Sequence, residues 1–201
     1  NLFQQLYNTV DSLIVGNFLG SSALAAVSSS GSLIFMLIGF LSGISAGAGV
    51  IVARFFGAGD EKNLQRAVHT TVAFGLVAGV LMTGVGVALS PQVLRWMDTP
   101  ESVMRESVTY LQIYFAGSLG FVMYNVLVGI LQAVGDSRHP LYYLIVSSVI
   151  NLVLDLLFIT GFHTGVGGAA VATVISQIVS ALLCFWQLLR TKESYGLKIR
   201  K

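Results

Sequence analysis

Six long apolar runs separated by short polar or charged stretches organise the chain, at about residues 1–19, 31–53, 67–90, 107–133, 140–160 and 167–189. Each is long enough to cross a hydrocarbon core of roughly 30 Å as a helix, which takes about 20 residues. None alternates apolar and polar positions in the way a membrane strand does. The pattern predicts an all-α integral membrane protein, a bundle of six transmembrane helices over residues 1–189. A basic cytoplasmic tail or linker follows at 190–201.

Composition agrees with the pattern. Of the 201 residues, 55% are hydrophobic and 10% charged, against about 25% charged in a soluble domain. Mean hydropathy is +0.81. No charged residue falls between Asp11 and Arg54. Cys184 is the lone cysteine, which excludes a disulfide framework and a cysteine-based metal site. His69, His139 and His163 are scattered without ligand spacing, so no metal is expected beyond a bound Na+. The basic residues lie between the apolar runs or after them, where topology rather than nucleic acid explains them.

Their distribution sets an orientation. Arg54, Lys62, Arg66, Arg138, Arg190, Lys192, Lys198, Arg200 and Lys201 share one side, and only Arg95 and Arg105 lie on the other. The positive-inside bias makes the first group cytoplasmic, with both ends of the chain. Loops are expected near residues 20–30 and 161–166. The chain opens at Asn1, already in a helical pattern, so the first helix is expected to begin upstream.

Within "INLVLDLLF", residues 150–158, Asn151 and Asp155 lie one helical turn apart in an otherwise apolar run. Entering from the cytoplasm near Pro140, the fifth segment reaches Asp155 after about 22 Å at 1.5 Å per residue, in the outer half of the bilayer. Asp11, on the outward-running first segment, lies about 13 Å from the outer surface. Thr173 lies about 9 Å below that surface on the returning sixth segment, with Gln177 one turn deeper. Asp11, Asn151, Asp155 and Thr173 can therefore converge in one layer. Ser147, Asn151 and Asp155 recur every four residues as a stripe that faces the bundle. An ionised side chain at the bilayer centre costs about 2.5–3.5 kcal/mol or more, so two acids at one depth call for a function. Oxygen-rich and carboxylate-bearing, the layer suits a proton or Na+. The competing reading is structural, with Asp155 protonated and joining helices through Asn151 or Thr173.

Glycines recur at four-residue spacing as Gly39, Gly43 and Gly47, and again as Gly75 and Gly79, which predicts close helix packing. "GAGDEKNLQR" at 57–66 reads as a helix stop, a turn and a new helix capped by Asp60.

"LFQQLYNTVDSLIVGNFLG" at 2–20, "GDSRHPL" at 135–141 and "NLVLDLLFITG" followed by "GVGGAAVATVISQ" resemble the amino-terminal half of the multidrug and toxic compound extrusion (MATE) family, in its prokaryotic DinF-like branch. The resemblance covers essentially the whole chain. It implies a cation site on Asp11, Asn151, Asp155 and Thr173, with Tyr7 beside it; the spacing above puts Ser147 and Gln177 near that site. It also implies a cofactor-free secondary antiporter in a prokaryotic plasma membrane, exporting amphipathic organic cations in exchange for H+ or Na+. Phe35, Phe40, Tyr114, Phe115 and Tyr124 would supply apolar walls for such substrates. Proteins of this family resemble two six-helix lobes, so the chain is expected to be one lobe of a twelve-helix transporter whose second lobe is its partner.

Two other functions share some of these features. An intramembrane aspartyl protease also uses membrane carboxylates, but the "GAGD" aspartate, Asp60, falls in a charged loop. A lipid-linked saccharide flippase of the same superfamily needs cationic groups for a pyrophosphate, and every Lys and Arg here lies in a loop, at a helix end or in the tail.

Overall fold

The computed structural model describes residues 2–197, apart from the side chains of residues 2–8, 11, 29, 38 and 41, and contains only helices and their connections among them. Helix α1 spans Leu2–Leu19 and α2 spans Ser21–Gly57. Gly20 alone separates them, at φ 89°, a left-handed conformation that glycine adopts without strain. The loop expected near residues 20–30 is therefore helical. "SSALAAV" holds good helix formers and no proline, and its Ala23, Ala26 and Val27 are buried.

After Gly59 (φ 66°), α3 runs over Glu61–Trp96 with Asp60 as its N-cap. Pro91 lies inside α3 and has no N–H to donate to the carbonyl of Val87 four residues earlier. Gln112 on the next helix donates its side-chain amide to that oxygen at 3.3 Å, which satisfies the carbonyl the proline leaves open.

The fourth apolar run, expected as one helix over 107–133, is two: α4 over Glu101–Ala116 and α5 over Ser118–Ala133, bent by 50°. The break falls at Gly117, where a Cβ would overlap the Val174 side chain. Closeness of the last helix thus leaves room only for a glycine there. Helix α6 covers Arg138–Leu156, a π-helical turn covers Leu157–Gly161, and α7 covers Gly165–Arg190. Residues 191–197, expected as tail or linker, turn back onto the lobe, where Tyr195 and Leu197 pack against its core.

Among the described residues, four helices are long and apolar enough to cross a membrane: α2, α3, α6 with its π turn, and α7. The bent α4–α5 pair supplies a fifth span if counted as one. Helix α1, which carries Gln4, Gln5, Asn8, Asp11 and Asn17, is not among them. The chain is a multi-pass, all-α membrane protein.

Helix α5 sits at the centre and packs against α2, α3 and α7, with Leu127, Ile130 and Leu131 almost fully buried. Lipid tails are as apolar as these side chains, so close packing rather than escape from water holds such helices together. Gly75 and Gly79 make it close. A Cβ on Gly75 would lie 3.1 Å from Val126, and one on Gly79 would lie 3.0 Å from the Leu119 backbone. The expectation for α2 is corrected: a Cβ on Gly39, Gly43 or Gly47 would meet nothing within 4 Å. Contact with α5 is made instead through Gly49, where a Cβ would lie 3.3 Å from the Gly129 carbonyl oxygen, and through Ser45. Ser45 donates its hydroxyl to the Asn125 carbonyl at 2.6 Å.

Candidate functional site

Asp155 lies in the last turn of α6, immediately before the π turn. In that turn the Phe162 N–H donates to the Leu157 carbonyl five residues back, at 3.1 Å. The Thr160 hydroxyl bonds back to the Leu156 carbonyl, a type of bond that bends helices. Single π turns occur most often beside functional groups. The apolar periodicity carries no sign of it, and "ITGFHTG" offers only a cluster of Thr and Gly as a signal.

Asp155 is 0% exposed and Asn151 2%. Asn151 donates its side-chain amide to the Thr173 hydroxyl on α7 at 3.4 Å, and Thr173 donates onward to the Ala169 carbonyl at 3.0 Å. The two helices are thus pinned at the level of the acid. Ser147, one turn before Asn151, is buried and donates to the Leu144 carbonyl at 3.0 Å. Gln177, one turn beyond Thr173, is buried, and its side-chain oxygen has no hydrogen-bond partner among the described residues.

Helix α1 closes the layer by packing against α6, its π turn and α7. Ile14 and Val15 share a core cluster with Ile159, Ala169 and Ala170. One turn from each contact lie residue 11 on α1, Asp155 on α6 and Thr173 on α7, so the backbone of residue 11 stands at the level of the other two. The side chains of Asp11 and Tyr7 lie outside those described.

Chemically, the layer presents a carboxylate, an amide and a hydroxyl away from water, a set of oxygen donors that suits a proton or a hard monovalent cation. Among the described residues no three His, Cys, Asp or Glu side chains gather as a metal-binding group.

A cavity of about 810 Å³ lies apart from this layer, between α2, α5 and the start of α6. Phe35, Tyr124, Asn125, Gln132 and Leu144 are among its walls, and none of its lining residues is charged. Of the other aromatics expected as walls, Phe40 is exposed, while Tyr114 and Phe115 are buried in the core. Tyr114 stacks on Tyr110 with ring centroids 6.5 Å apart, and Phe115 fills the space that Gly86 leaves.

The MatE family model matches residues 1–157. "Probable multidrug resistance protein YoeA" of Bacillus subtilis is 37% identical over 197 residues, 96% of this chain and 42% of that protein. A crystal structure of MATE in the bent conformation superposes with a TM-score of 0.92 at 28% identity, covering 99% of this chain and 44% of that one. A multidrug resistance MATE family transporter of the MOP superfamily matches in an inward-facing conformation, with a TM-score of 0.90 and 29% identity over 98% of this chain and 44% of its own. It matches in an outward-facing conformation with a TM-score of 0.89 and 28% identity, over 99% and 44%. The chain therefore spans less than half the length of these relatives.

Proposed function

This chain belongs to the MatE family of transporters, and we propose that it forms the amino-terminal lobe of a secondary antiporter exporting amphipathic organic cations in exchange for H+ or Na+. The observation that carries the reading is Asp155, fully buried one helical turn from Asn151, whose side-chain amide donates to the Thr173 hydroxyl across the α6/α7 contact. Asp11, Asn151, Asp155 and Thr173 hold the coupling cation.

A ligand shifts a conformational equilibrium only by its differential affinity for the two states. The carboxylate is charged when empty and neutral when loaded, so loading removes the electrostatic cost of closing α1 against α6 and α7. Relatives solved in inward-facing and outward-facing conformations support two such states for the whole transporter. The uncharged cavity walled by Phe35 and Tyr124 offers apolar surface with amides at Asn125 and Gln132, which suits an amphipathic cation better than a pyrophosphate. In this reading the second lobe lies beyond this chain, in the same prokaryotic plasma membrane, and Asp136, Arg138 and residues 191–197 face the cytoplasm.

The test uses the full-length protein in proteoliposomes. An imposed pH gradient or, separately, a Na+ gradient drives efflux of a fluorescent organic cation, for wild type and Asp155→Asn. One gradient is expected to drive wild-type efflux at least tenfold faster than that of the variant, about 1.4 kcal/mol or more of coupling. Equal export by both proteins under both gradients would make Asp155 a packing residue.

A further inference from the structure

The faces along which α6 and α7 meet are polar from the buried acid to the far end of the lobe. On α6, Asp155, Asn151, Ser147, Tyr143 and His139 recur every four residues and so form one stripe. On α7, Thr173, Gln177, Ser180, Cys184 and Gln187 recur at alternating steps of four and three, which also holds them on one face. Hydrogen bonds at two levels fix the antiparallel register. Asn151 donates to Thr173 at 3.4 Å, and the Tyr143 hydroxyl donates to the Gln187 side-chain oxygen at 3.2 Å.

Between those two rungs lie Ser147, Gln177 and Ser180, all buried. The Gln177 side-chain oxygen is an acceptor held away from water with no partner among the described residues, an arrangement that costs energy unless something donates to it. At the far end His139 Nδ1 lies 2.7 Å from Asp136 Oδ2, and the His139 side chain is 45% exposed. The seam thus begins at a buried carboxyl and ends at an imidazole in contact with solvent.

No charged side chain occurs on either stripe between Asp155 and the His139–Asp136 pair. Hydroxyl, phenol and imidazole groups each donate and accept hydrogen bonds, so they pass a proton by hopping. They give Na+ no charged ligand at which to pause. Successive groups on α6 are about 6 Å apart along the axis, the span of one bridging water with two hydrogen bonds.

Resting on the reading of Asp155 as a coupling site, we propose that the α6/α7 seam conducts the proton between Asp155 and the cytoplasmic end of the lobe, with Gln177 and Ser147 holding water at mid-length and His139 exchanging protons with solvent. The proton leaves the Asp155 carboxyl, each hydroxyl or water accepts one on one side and releases one on the other, and His139 delivers it to bulk water. The amides of Asn151, Gln177 and Gln187 orient the relay.

The experiment follows proton flux with a pH-sensitive dye, for the full-length protein in proteoliposomes under a substrate gradient. Equilibrium substrate affinity and the total protons released on binding are measured in detergent. Gln177→Leu breaks the relay at its centre, Tyr143→Phe removes a single oxygen from a partly exposed residue, and His139→Ala removes the exchanger. Each is expected to slow flux, by about tenfold for Gln177→Leu, without changing affinity or total release. Added imidazole buffer is expected to restore flux to His139→Ala alone. Unchanged flux in both Gln177→Leu and Tyr143→Phe overturns the route. Total release falling in parallel with flux also overturns it, since that marks a packing role. Wild type that releases no proton but couples to Na+ overturns the route and leaves the site standing, whereas Asp155→Asn with full release and transport overturns the site itself.

Discussion

At Asp60 the carboxylate accepts the Asn63 backbone N–H at 3.1 Å and the Asn63 side-chain amide at 2.7 Å. These two bonds, with Lys62 and Arg66 nearby, hold its pKa below the ordinary carboxylate value. The folded state therefore favours the ionised form, and the cap's contribution is fully present above the ordinary pKa. It is lost as pH falls through the lowered folded value. Amide exchange over residues 61–64, the first turn of α3, is expected to quicken as pH drops below about 4, after correction for the intrinsic rate. Asp60→Asn, which caps without titrating, should abolish that dependence. A pH profile shared by both proteins would place its cause elsewhere. This cap was legible in "GAGDEKN" because every group it needs lies within a few residues. Asn151 and Thr173 were reachable by depth alone, since two helices joined by a short turn must match in height. The side-chain oxygen of Gln177, unpartnered among the described residues, was not, because spacing places a residue on a face but leaves the reach of its amide open.

Among the helices, glycine spacing marked candidates for close approach but could not say which face meets a neighbour. Gly75 and Gly79 turn toward α5, whereas a Cβ on Gly39, Gly43 or Gly47 would meet nothing within 4 Å among the described residues. A Cβ at Gly79 would lie 2.5 Å from Leu119 Cδ1 and 3.0 Å from Leu119 Cα, and the backbone cannot yield as a rotamer can. Gly79→Val is expected to force α3 from α5 and to lower stability by roughly 1–3 kcal/mol, the usual range for overpacking. Gly43→Ala, where nothing in this lobe lies within 4 Å of the added Cβ, is expected to change the melting temperature of the full-length protein far less than Gly79→Val does. Thermal melts of the two variants beside wild type decide it, and a Gly79→Val protein as stable as wild type would refute the close α3/α5 contact. Most apolar runs were readable as helices because a bilayer demands length and hydrophobicity. The break at Gly117 was not, because the Val174 side chain that leaves room only for glycine there lies on a helix distant in sequence. The π turn after Asp155 escaped for a different reason: five residues are too few to alter a periodicity.

Across the whole lobe, the end opposite Asp155 is held together by contacts between residues far apart in the chain, which composition reads only as a basic tail. Beyond Arg190, whose guanidinium lies 4.9 Å from the Trp186 ring centroid, the chain turns back, and the Leu197 N–H donates to the Leu188 carbonyl at 2.9 Å. The Gln65 amide on α3 donates to the Ser194 carbonyl and, at 2.9 Å, to the Gly196 carbonyl. Tyr195 meets Phe56 of α2 edge-on, with ring centroids 5.9 Å apart. One glutamine thus ties the segment leaving α7 to the start of α3. This strap holds the end of α7 in place. Gln65→Ala removes both bonds, each with a net contribution of about 0.5–1.5 kcal/mol. Residues 191–197 are then expected to open roughly 5-fold to 150-fold more often, read as faster amide exchange there. Exchange in α7 around Thr173 should stay as slow as in wild type, because the Asn151 contact is independent of the strap. Unaltered exchange at 191–197 would show that the Tyr195 and Leu197 contacts suffice without Gln65. Faster exchange spreading to Thr173 would show instead that strap and cation layer open as one unit.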